Sequence, residues 1–237
     1  MFICLILYNT VQYIIHSRGT TPIVVVVVAV CNWNGWVGPI TTQPTTGFKF
    51  KVVLEVDIFF NTILPGLNVK SFSIGDSMTM RTTGVIEELE KRTDIEFVRS
   101  FGEGWSFEKK YEQRRKALLT DLFITGTNAV TEDGQLVNLD MYGNRINGIN
   151  FGPLNVVLFI GTNKITTNLD EAMKRVREVA APKNVARHSG FNTPCAKTGS
   201  CMNCSSSQRI CNEWSIIEKC FPAHRIQIIL IDQELGL

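Results

Sequence analysis

The chain has 237 residues, of which 44% are hydrophobic, so it has room for one main domain with a sizeable buried core. Its 24 basic and 22 acidic side chains give a net charge of +2, and no block of Lys and Arg concentrates the positive charge. This charge distribution argues against nucleic acid as a partner.

The first 50 residues differ in composition from the rest of the chain. Their apolar stretches, 1–15 and 23–31, are each shorter than the roughly 20 residues of a transmembrane helix, and the first lacks the basic start and cleavage site of a secretory signal. We therefore expect a cytoplasmic protein without a membrane span. Segment 1–50 has no assigned role: it is an additional strand and loop, or it entered through an incorrect gene model.

Strand and helix patterns alternate along residues 51–237. Apolar runs predict strands at 67–73, 122–125, 135–141, 155–160 and 225–231, and helical periodicity predicts helices at 82–92, 107–120 and 168–181. In the last helix, Thr167 or Asn168 is the expected N-cap and Pro182 the expected end. This alternation is typical of an α/β fold with a mainly parallel sheet and helices on both faces.

A short polar stretch, Ser73-Ile-Gly-Asp-Ser-Met-Thr79, joins a predicted strand to a predicted helix. Glycine permits a sharp turn there, and free N–H groups at the start of a helix face anions. Gly75, Ser77 and Thr79 are therefore candidates to hold a phosphate or a carboxylate. The alternative is a plain turn in which Ser77 or Thr79 is the N-cap.

Polar side chains also follow the predicted strands 122–125, 135–141 and 155–160. Ligands of open parallel sheets bind beyond the carboxyl ends of the strands, so these side chains are candidates to bind a small anion. Arg145 suits bidentate capture of a carboxylate, and its alternative is a structural ion pair with Asp140. The candidates in this group are Gly126, Asn128, Asp133, Asp140, Asn144, Arg145, Asn163 and Lys164.

Glu132 and Asp133 occupy a predicted turn before an alternating run that indicates a half-buried strand at 135–141. A carboxylate in such a turn is a candidate nucleophile or general base. The alternative is a hairpin turn at Asp133-Gly134 with a solvated Glu132. The residues alone leave both interpretations open.

Four of the seven cysteines, Cys195, Cys201, Cys204 and Cys211, have the spacing C-x5-C-x2-C-x6-C. The intervening residues offer little apolar material for a core, so metal ligation would supply the missing stability. Four thiolates suit an iron–sulfur cluster or tetrahedral zinc, and disulfides are the alternative in an oxidising compartment. Cys220 lies in a more apolar segment and is expected to be packed.

The chain resembles the LUD (lactate utilization) domain family over residues 71–237. Three stretches carry the resemblance: Ser73 to Thr79, the run Thr125-Gly-Thr-Asn-Ala-Val-Thr-Glu-Asp-Gly134 continuing to Gly143-Asn-Arg145, and Gly161-Thr-Asn-Lys-Ile165. The resemblance implies a LUD domain at 51–237, with the cysteine-rich segment 193–214 inside it. It also implies a fold of the ribose-5-phosphate isomerase and CoA-transferase type, while segment 1–50 departs from the family.

Three functions are compatible with the residues and the resemblance. The first is an accessory redox component of lactate utilization that binds a small anionic metabolite and exchanges electrons with iron–sulfur oxidoreductase subunits through a 4Fe-4S cluster. The second is an acyl-CoA or sugar-phosphate transferase or hydrolase with structural zinc; here Thr131-Glu-Asp-Gly134 is similar to the CoA-transferase turn whose glutamate forms an acyl intermediate, which implies catalysis by Glu132. The third is a metal-stabilised binding module. No GxGxxG pattern opens a helix, so no flavin or nicotinamide site is predicted.

Overall fold

A computed structural model describes residue 57 and residues 59–237 in full, and the backbone of three strands within residues 4–30. The strands are β1 Cys4–Tyr8, β2 Val11–His16, β3 Val24–Val30, β4 Ser71–Ile74, β5 Glu96–Phe97, β6 Leu122–Thr125, β7 Ala129–Thr131, β8 Leu136–Asp140, β9 Asn155–Gly161, β10 Ile165–Thr166, β11 Glu213–Ile217 and β12 Ile226–Ile231. The α-helices are α1 Leu64–Leu67, α2 Met78–Thr83, α3 Val85–Glu90, α4 Phe107–Ala117, α5 Asn144–Asn150, α6 Leu169–Arg175, α7 Ala181–Ala186 and α8 Pro194–Thr198. Two π-helical segments, Phe59–Ile63 and Val176–Ala180, precede α1 and α7, and a 3-10 turn spans Thr162–Lys164.

The main sheet has the strand order β1-β2-β3-β12-β9-β6-β4-β5. Its five strands from β12 to β5 are parallel. Strands β1, β2 and β3 pair antiparallel with one another, and β3 also pairs antiparallel with β12. The predicted α/β class with a mainly parallel sheet is therefore confirmed. Strand β9 lies between β12 and β6 with Val156 to Gly161 buried, as expected of a mid-sheet strand.

Two apolar cores cover the two faces of the parallel strands. Side chains from alternate positions, such as Ile124 and Phe159, pack against the helices that precede and follow β4. Their neighbours on the opposite face, such as Phe123 and Leu158, pack against Ile149 of α5 and against the second sheet. Helices thus flank both faces, and the strands between them are fixed in place by burial on both sides.

The second sheet has the order β10-β7-β8-β11 and contains the predicted hairpin. Strands β7 and β8 pair antiparallel across a turn in which Gly134 has a φ of 86°. The half-buried pattern predicted for 135–141 is wrong, because Leu136 to Leu139 are all buried. Asn138 has no exposed surface, and this polar side chain fits a buried strand because its Oδ1 accepts hydrogen bonds from Thr127 and Arg145.

Two predicted helix boundaries differ from the structure. The helix expected at 82–92 is two short helices, α2 and α3, separated by Gly84 with a φ of 76°. Pro182 does not end the helix that begins at Leu169. The π-helical segment shifts the hydrogen bonding, so Pro182 falls in the first turn of α7, where a missing N–H breaks no bond.

Within segment 1–50 the structure describes only β1, β2 and β3; the other residues of the segment lie outside its described part, and the segment has no assigned role. Of the helices that the structure describes, none has the length and apolar character needed to cross a bilayer.

Candidate functional site

A cavity of about 520 Å³ opens at the carboxyl ends of β4, β6 and β9. The chain leaves these strands through Gly75, Gly126 and the 3-10 turn that ends at Lys164, and all three residues line the cavity. The strands are parallel neighbours, so their ends converge at one edge of the sheet. This is the edge at which the sequence predicts a ligand site.

The structure brings most of the predicted anion-binding residues together around this cavity. Those in its wall are Gly75, Ser77, Gly126, Asn128, Asp140, Asn144, Arg145 and Lys164. Thr79 lies behind the wall and accepts a hydrogen bond from Lys164. Asn163 lines a second, more open cavity of about 470 Å³. Glu132 and Asp133 are exposed at the hairpin turn and do not line the main cavity.

Two glycines allow the loops at this edge to approach closely. A Cβ on Gly75 would collide with the Thr125 hydroxyl. A Cβ on Gly126 would lie 2.8 Å from Ser77 Oγ and 3.3 Å from the Phe159 carbonyl oxygen. Any larger residue at either position would therefore push the strand ends apart.

Ser77 is the N-cap of α2, because its hydroxyl accepts a 3.4 Å hydrogen bond from the Met80 amide. The plain-turn alternative thus describes the local backbone. Ser77 also lines the cavity, so its role in binding an anion stays a prediction.

Arg145 joins three parts of the site from inside the wall. One terminal nitrogen donates to Asn138 Oδ1 at 2.6 Å and to the Gly126 carbonyl at 3.3 Å. The other donates to Asn128 Oδ1 at 2.8 Å and to the Leu139 carbonyl at 3.1 Å. These contacts use all four terminal N–H bonds, leaving none for bidentate capture of a carboxylate in this conformation. Arg145 holds the two loops and β8 in register.

Asp140 completes the same network. Its Oδ1 accepts from the amides of Met141 and Tyr142, and its Oδ2 accepts from the amide of Ile146 in α5. The Arg145 Nε atom lies 3.7 Å from Oδ2. The Asp140 carboxylate therefore stabilises the start of α5 and partly neutralises Arg145, as the ion-pair interpretation of the sequence holds.

Lys164 is the most deeply buried cation in the cavity wall, at 5% exposure. Its Nζ donates to Thr79 Oγ1 at 2.9 Å and to the Thr127 carbonyl at 3.1 Å. It forms no ion pair with any residue that the structure describes. Burial, reinforced by the positive charges of Arg175 and Arg145, lowers the pKa of Lys164 to about 7.

The cavity also contains polar residues that the sequence patterns did not indicate. Arg187 donates to Asp76 Oδ2 at 2.6 Å, and Arg81 lies 3.2 Å from the other carboxylate oxygen. Burial acts to raise the pKa of Asp76, but the contacts with Arg187 and Arg81 keep it below the ordinary value. The further polar members of the wall include Ser100, Lys110, Arg114, Thr125, Thr127, Asn184 and His188.

Arg175 supports the cavity from behind and was also missed. Its Nε donates to the Asn163 carbonyl at 2.7 Å, and a terminal nitrogen donates to the Asn128 carbonyl. The residue belongs to α6, where it is one of two basic side chains in the last turn, next to Lys174. No local signal distinguishes it from a solvated arginine.

Thr125 has an unusual hydroxyl in this wall. The side chain is fully buried, yet Oγ1 has no hydrogen-bond partner among the described residues. An unpaired buried hydroxyl costs about 1–3 kcal/mol. The oxygen atom has almost no accessible surface, so a ligand in the cavity would reach it only if the loop at Gly75 moved.

The four clustered cysteines are half-buried and unpaired with each other. Cys195 Sγ lies 3.3 Å from Thr193 Oγ1, and Cys201 Sγ accepts from the Asn203 amide at 3.4 Å. Among residues 57 and 59–237, no three His, Cys, Asp or Glu side chains are placed to share one ion. The thiols in this arrangement do not form a metal site, so metal binding stays a prediction. Cys220 is buried, as expected.

Comparisons with known proteins place the chain in a family. A search among curated proteins found no match. A solved DUF162 family protein from Deinococcus radiodurans is 9% identical, with 80% of this chain and 100% of that chain covered and a TM-score of 0.31, which supports no further inference. The family model of the LUD domain matches residues 10–231. Because this match spans most of the chain, the protein belongs to the LUD domain family, which is associated with lactate utilization.

Proposed function

We propose that the cavity at the strand ends binds a small anionic metabolite carrying a carboxylate or a phosphate. The observation that carries this proposal is the charge of the wall. Its lysine and arginine side chains outnumber its carboxylate side chains by five to two: Lys110, Arg114, Arg145, Lys164 and Arg187, against Asp76 and Asp140. Lys164, with a pKa of about 7, is only partly charged near pH 7, and the excess remains without it. An excess of positive charge in a concave site favours anions.

The two carboxylates do not cancel this excess. Asp140 is neutralised by Arg145 and three backbone amides, and Asp76 by Arg187 and Arg81. Lys110 and Arg114 extend from α4 to the rim, and neither forms an ion pair with any residue the structure describes. Arg114 stacks over the ring of Tyr142, 4.6 Å from its centroid, and both side chains carry positive charge at the rim that no carboxylate of the described residues neutralises.

The size of the cavity also supports a metabolite. Its volume of about 520 Å³ falls within the range of roughly 300–1,000 Å³ that small-molecule sites occupy. A three-carbon acid such as lactate fills only part of it. The site therefore has room for a larger or phosphorylated compound, and lactate is one probe among several.

Isothermal titration of the purified protein with L-lactate and inorganic phosphate tests the proposal. Propane-1,2-diol is the matched neutral probe, because it replaces the carboxylate of lactate with a hydroxymethyl group. We expect at least one of the anions to bind and the diol not to bind. Replacing Arg114 by Gln should weaken binding about tenfold, equivalent to about 1.4 kcal/mol.

Arg115→Gln is the control variant, since Arg115 lies next to Arg114 on α4 but is exposed and outside the cavity. It should leave the affinity unchanged. Equal effects of the two substitutions, or heat signals for the diol that match those for lactate, would exclude this cavity as an anion site.

The electron-transfer role depends on an iron–sulfur cluster predicted at Cys195, Cys201, Cys204 and Cys211, which are free thiols in this structure. The transferase alternative rests on Glu132. Nothing in the cavity favours it, because Glu132 does not line the wall. Unchanged turnover of acyl-CoA or sugar phosphates in Glu132→Gln would reject that alternative.

A further inference from the structure

We propose that the Nζ atom of Lys164 is a nucleophile that forms an imine with the carbonyl carbon of an anionic aldehyde or ketone bound in the cavity. The inference rests on the proposed function, because the same cationic wall must hold the carboxylate or phosphate of that compound. It adds a reaction class and a reacting atom to what is otherwise a binding site.

The hydrogen bonds of Lys164 match those of a neutral amine. A neutral amine has two N–H bonds and one lone pair, and the described surroundings supply two acceptors, Thr79 Oγ1 and the Thr127 carbonyl. An ammonium group has a third N–H, for which no described residue provides an acceptor. The lone pair that attacks a carbonyl is thus left unengaged.

The Thr79 hydroxyl is oriented to accept rather than donate in this contact. Its own hydrogen is directed to the Leu235 carbonyl at 3.3 Å, so its lone pairs face the amine. A donor there would compete for the nitrogen lone pair, whereas an acceptor leaves it available. Two positioned acceptors also fix the direction of the amine within the wall.

The electrostatic surroundings favour the same state. The described residues place no carboxylate in contact with Nζ, while Arg175 and Arg145 add positive charge and burial adds a desolvation cost for the ammonium form. The pKa of about 7 means that a large fraction of the side chain is neutral near pH 7. Lysines that act as imine-forming nucleophiles are activated in this way, by desolvation or by a neighbouring cation.

The proposed step is balanced. The amine adds to the carbonyl carbon to give a carbinolamine, the two amine hydrogens leave with the carbonyl oxygen as one water molecule, and a C=N bond replaces the C=O bond. No oxidant or reductant takes part.

Reductive trapping tests the proposal on the intact protein. The protein is incubated with pyruvate, glyceraldehyde 3-phosphate or acetone in the presence of cyanoborohydride, and the modified lysine is identified by peptide mass spectrometry. Pyruvate and the phosphorylated aldehyde distinguish a carboxylate ligand from a phosphate ligand, and acetone is the neutral control. We expect labelling at Lys164 with at least one anionic probe, at least tenfold above acetone, and suppression by inorganic phosphate.

Lys164→Met should abolish the adduct while leaving background labelling of exposed lysines such as Lys197 unchanged. If that variant does not fold, the test uses the wild-type protein alone: the modified lysine identified by mass spectrometry, and the loss of its label when phosphate is added. Binding of phosphate or lactate without any Lys164 adduct would overturn the imine and leave the anion site standing. Absence of both anion binding and labelling would overturn the two proposals together.

Discussion

The cavity edge and the cysteine-rich segment 193–214 are both rich in polar side chains, but different interactions hold them in place. At the cavity edge, Arg145 and Lys164 donate hydrogen bonds to atoms of α2, of β8 and of the loop after β6, between two apolar cores. In the cysteine segment most hydrogen bonds are short-range, such as Thr198 to the Pro194 carbonyl and Arg209 to the carbonyls of Cys204 and Cys211. The first region is fixed by the fold, and the second mainly by itself.

This difference bears on how each region binds a ligand. The cavity wall is preorganised, because its loops keep their positions through buried contacts before any ligand enters. The cysteine segment has few buried side chains, so a metal would have to rearrange it to bring four sulfur atoms together. We expect small structural responses at the cavity and a large one at the cysteines.

The largest expected effect is metal binding by the cysteine segment. Protein purified without oxygen should contain iron with labile sulfide and a visible charge-transfer band, or zinc without such a band. Chelation should then strongly increase hydrogen exchange in residues 195–211, because ligation energy and local folding energy are coupled.

Cys204→Ser should lose the metal, whereas Cys220→Ala should retain it, since Cys220 is buried apart from the segment. Anaerobic protein without either metal, with the same exchange rates before and after chelation, would show that the segment folds by its local hydrogen bonds alone.

The second effect tests preorganisation of the cavity. Arg145→Met removes four hydrogen bonds and takes the guanidinium charge away from the Asp140 carboxylate, whose side chain is only 11% exposed. Removing one member of a buried pair typically costs about 3–5 kcal/mol, and we expect a loss in this range in urea unfolding.

The same substitution in the other region provides the comparison. Arg209→Met removes two hydrogen bonds to carbonyls of a half-buried loop and should cost about 1–2 kcal/mol. Equal losses from the two substitutions would mean that the cavity wall is no better fixed than the cysteine segment.

Much of the fold follows from the sequence where the pattern is local. The apolar run at 155–160 predicts β9 because a strand covered on both faces needs no polar side. Strand β11 was not predicted, because its residues include Glu213 and Ser215 and its stability comes from pairing with β8, far away in the chain. The continuation of the helix through Pro182 was also not predicted, because it depends on a π-helical segment that residue propensities do not indicate.

Residues of the candidate site were likewise predictable only where a local pattern indicates them. Gly75, Gly126 and Lys164 were predicted because each follows a strand, and the ends of parallel strands converge. Arg187 contacts Asp76 across 111 residues of sequence, and Arg114 lies on a helix whose basic residues suggest a solvated face. These residues line the cavity because of tertiary packing, which no local sequence pattern predicts.

The third expected effect is a pH dependence of folding stability that comes from the buried amine of Lys164. The folded pKa of Lys164, about 7, lies below its unfolded value, so between pH 7 and about 10.4 the unfolded chain binds more protons at this residue. Lys164 therefore disfavours folding most at or below pH 7, and this cost falls by up to about 1.4 kcal/mol for each unit of rising pH.

Lys164→Met removes this titration. Urea unfolding of both proteins at pH 7, 8 and 9 should show a difference in unfolding free energy that shifts steadily in favour of the wild type as pH rises. The slope is the measurement, because loss of the contacts with Thr79 and Thr127 adds an offset that does not depend on pH. If the unfolding free energies of the two proteins changed with pH in the same way, the pKa of Lys164 would not be lowered in the folded protein.

The smallest effect calibrates what one local hydrogen bond contributes next to the cavity. The sequence leaves Thr167 and Asn168 as alternative caps of α6, and in the structure the Asn168 side chain accepts from the Glu171 amide at 3.0 Å. Asn168→Ala should cost about 1 kcal/mol in thermal or urea unfolding, since it leaves a first-turn amide without its acceptor. Thr167→Ala is the comparison variant and should change stability by less than about 0.5 kcal/mol, because Thr167 is exposed and its hydroxyl only accepts a 3.3 Å hydrogen bond from Asn168 Nδ2, which leaves the Asn168 cap oxygen in place. Helix α6 also carries Arg175, which supports the cavity wall. A loss well above 1 kcal/mol for Asn168→Ala would therefore mean that the wall depends on this local cap. The cavity edge would then differ less from the cysteine-rich segment than their contacts indicate.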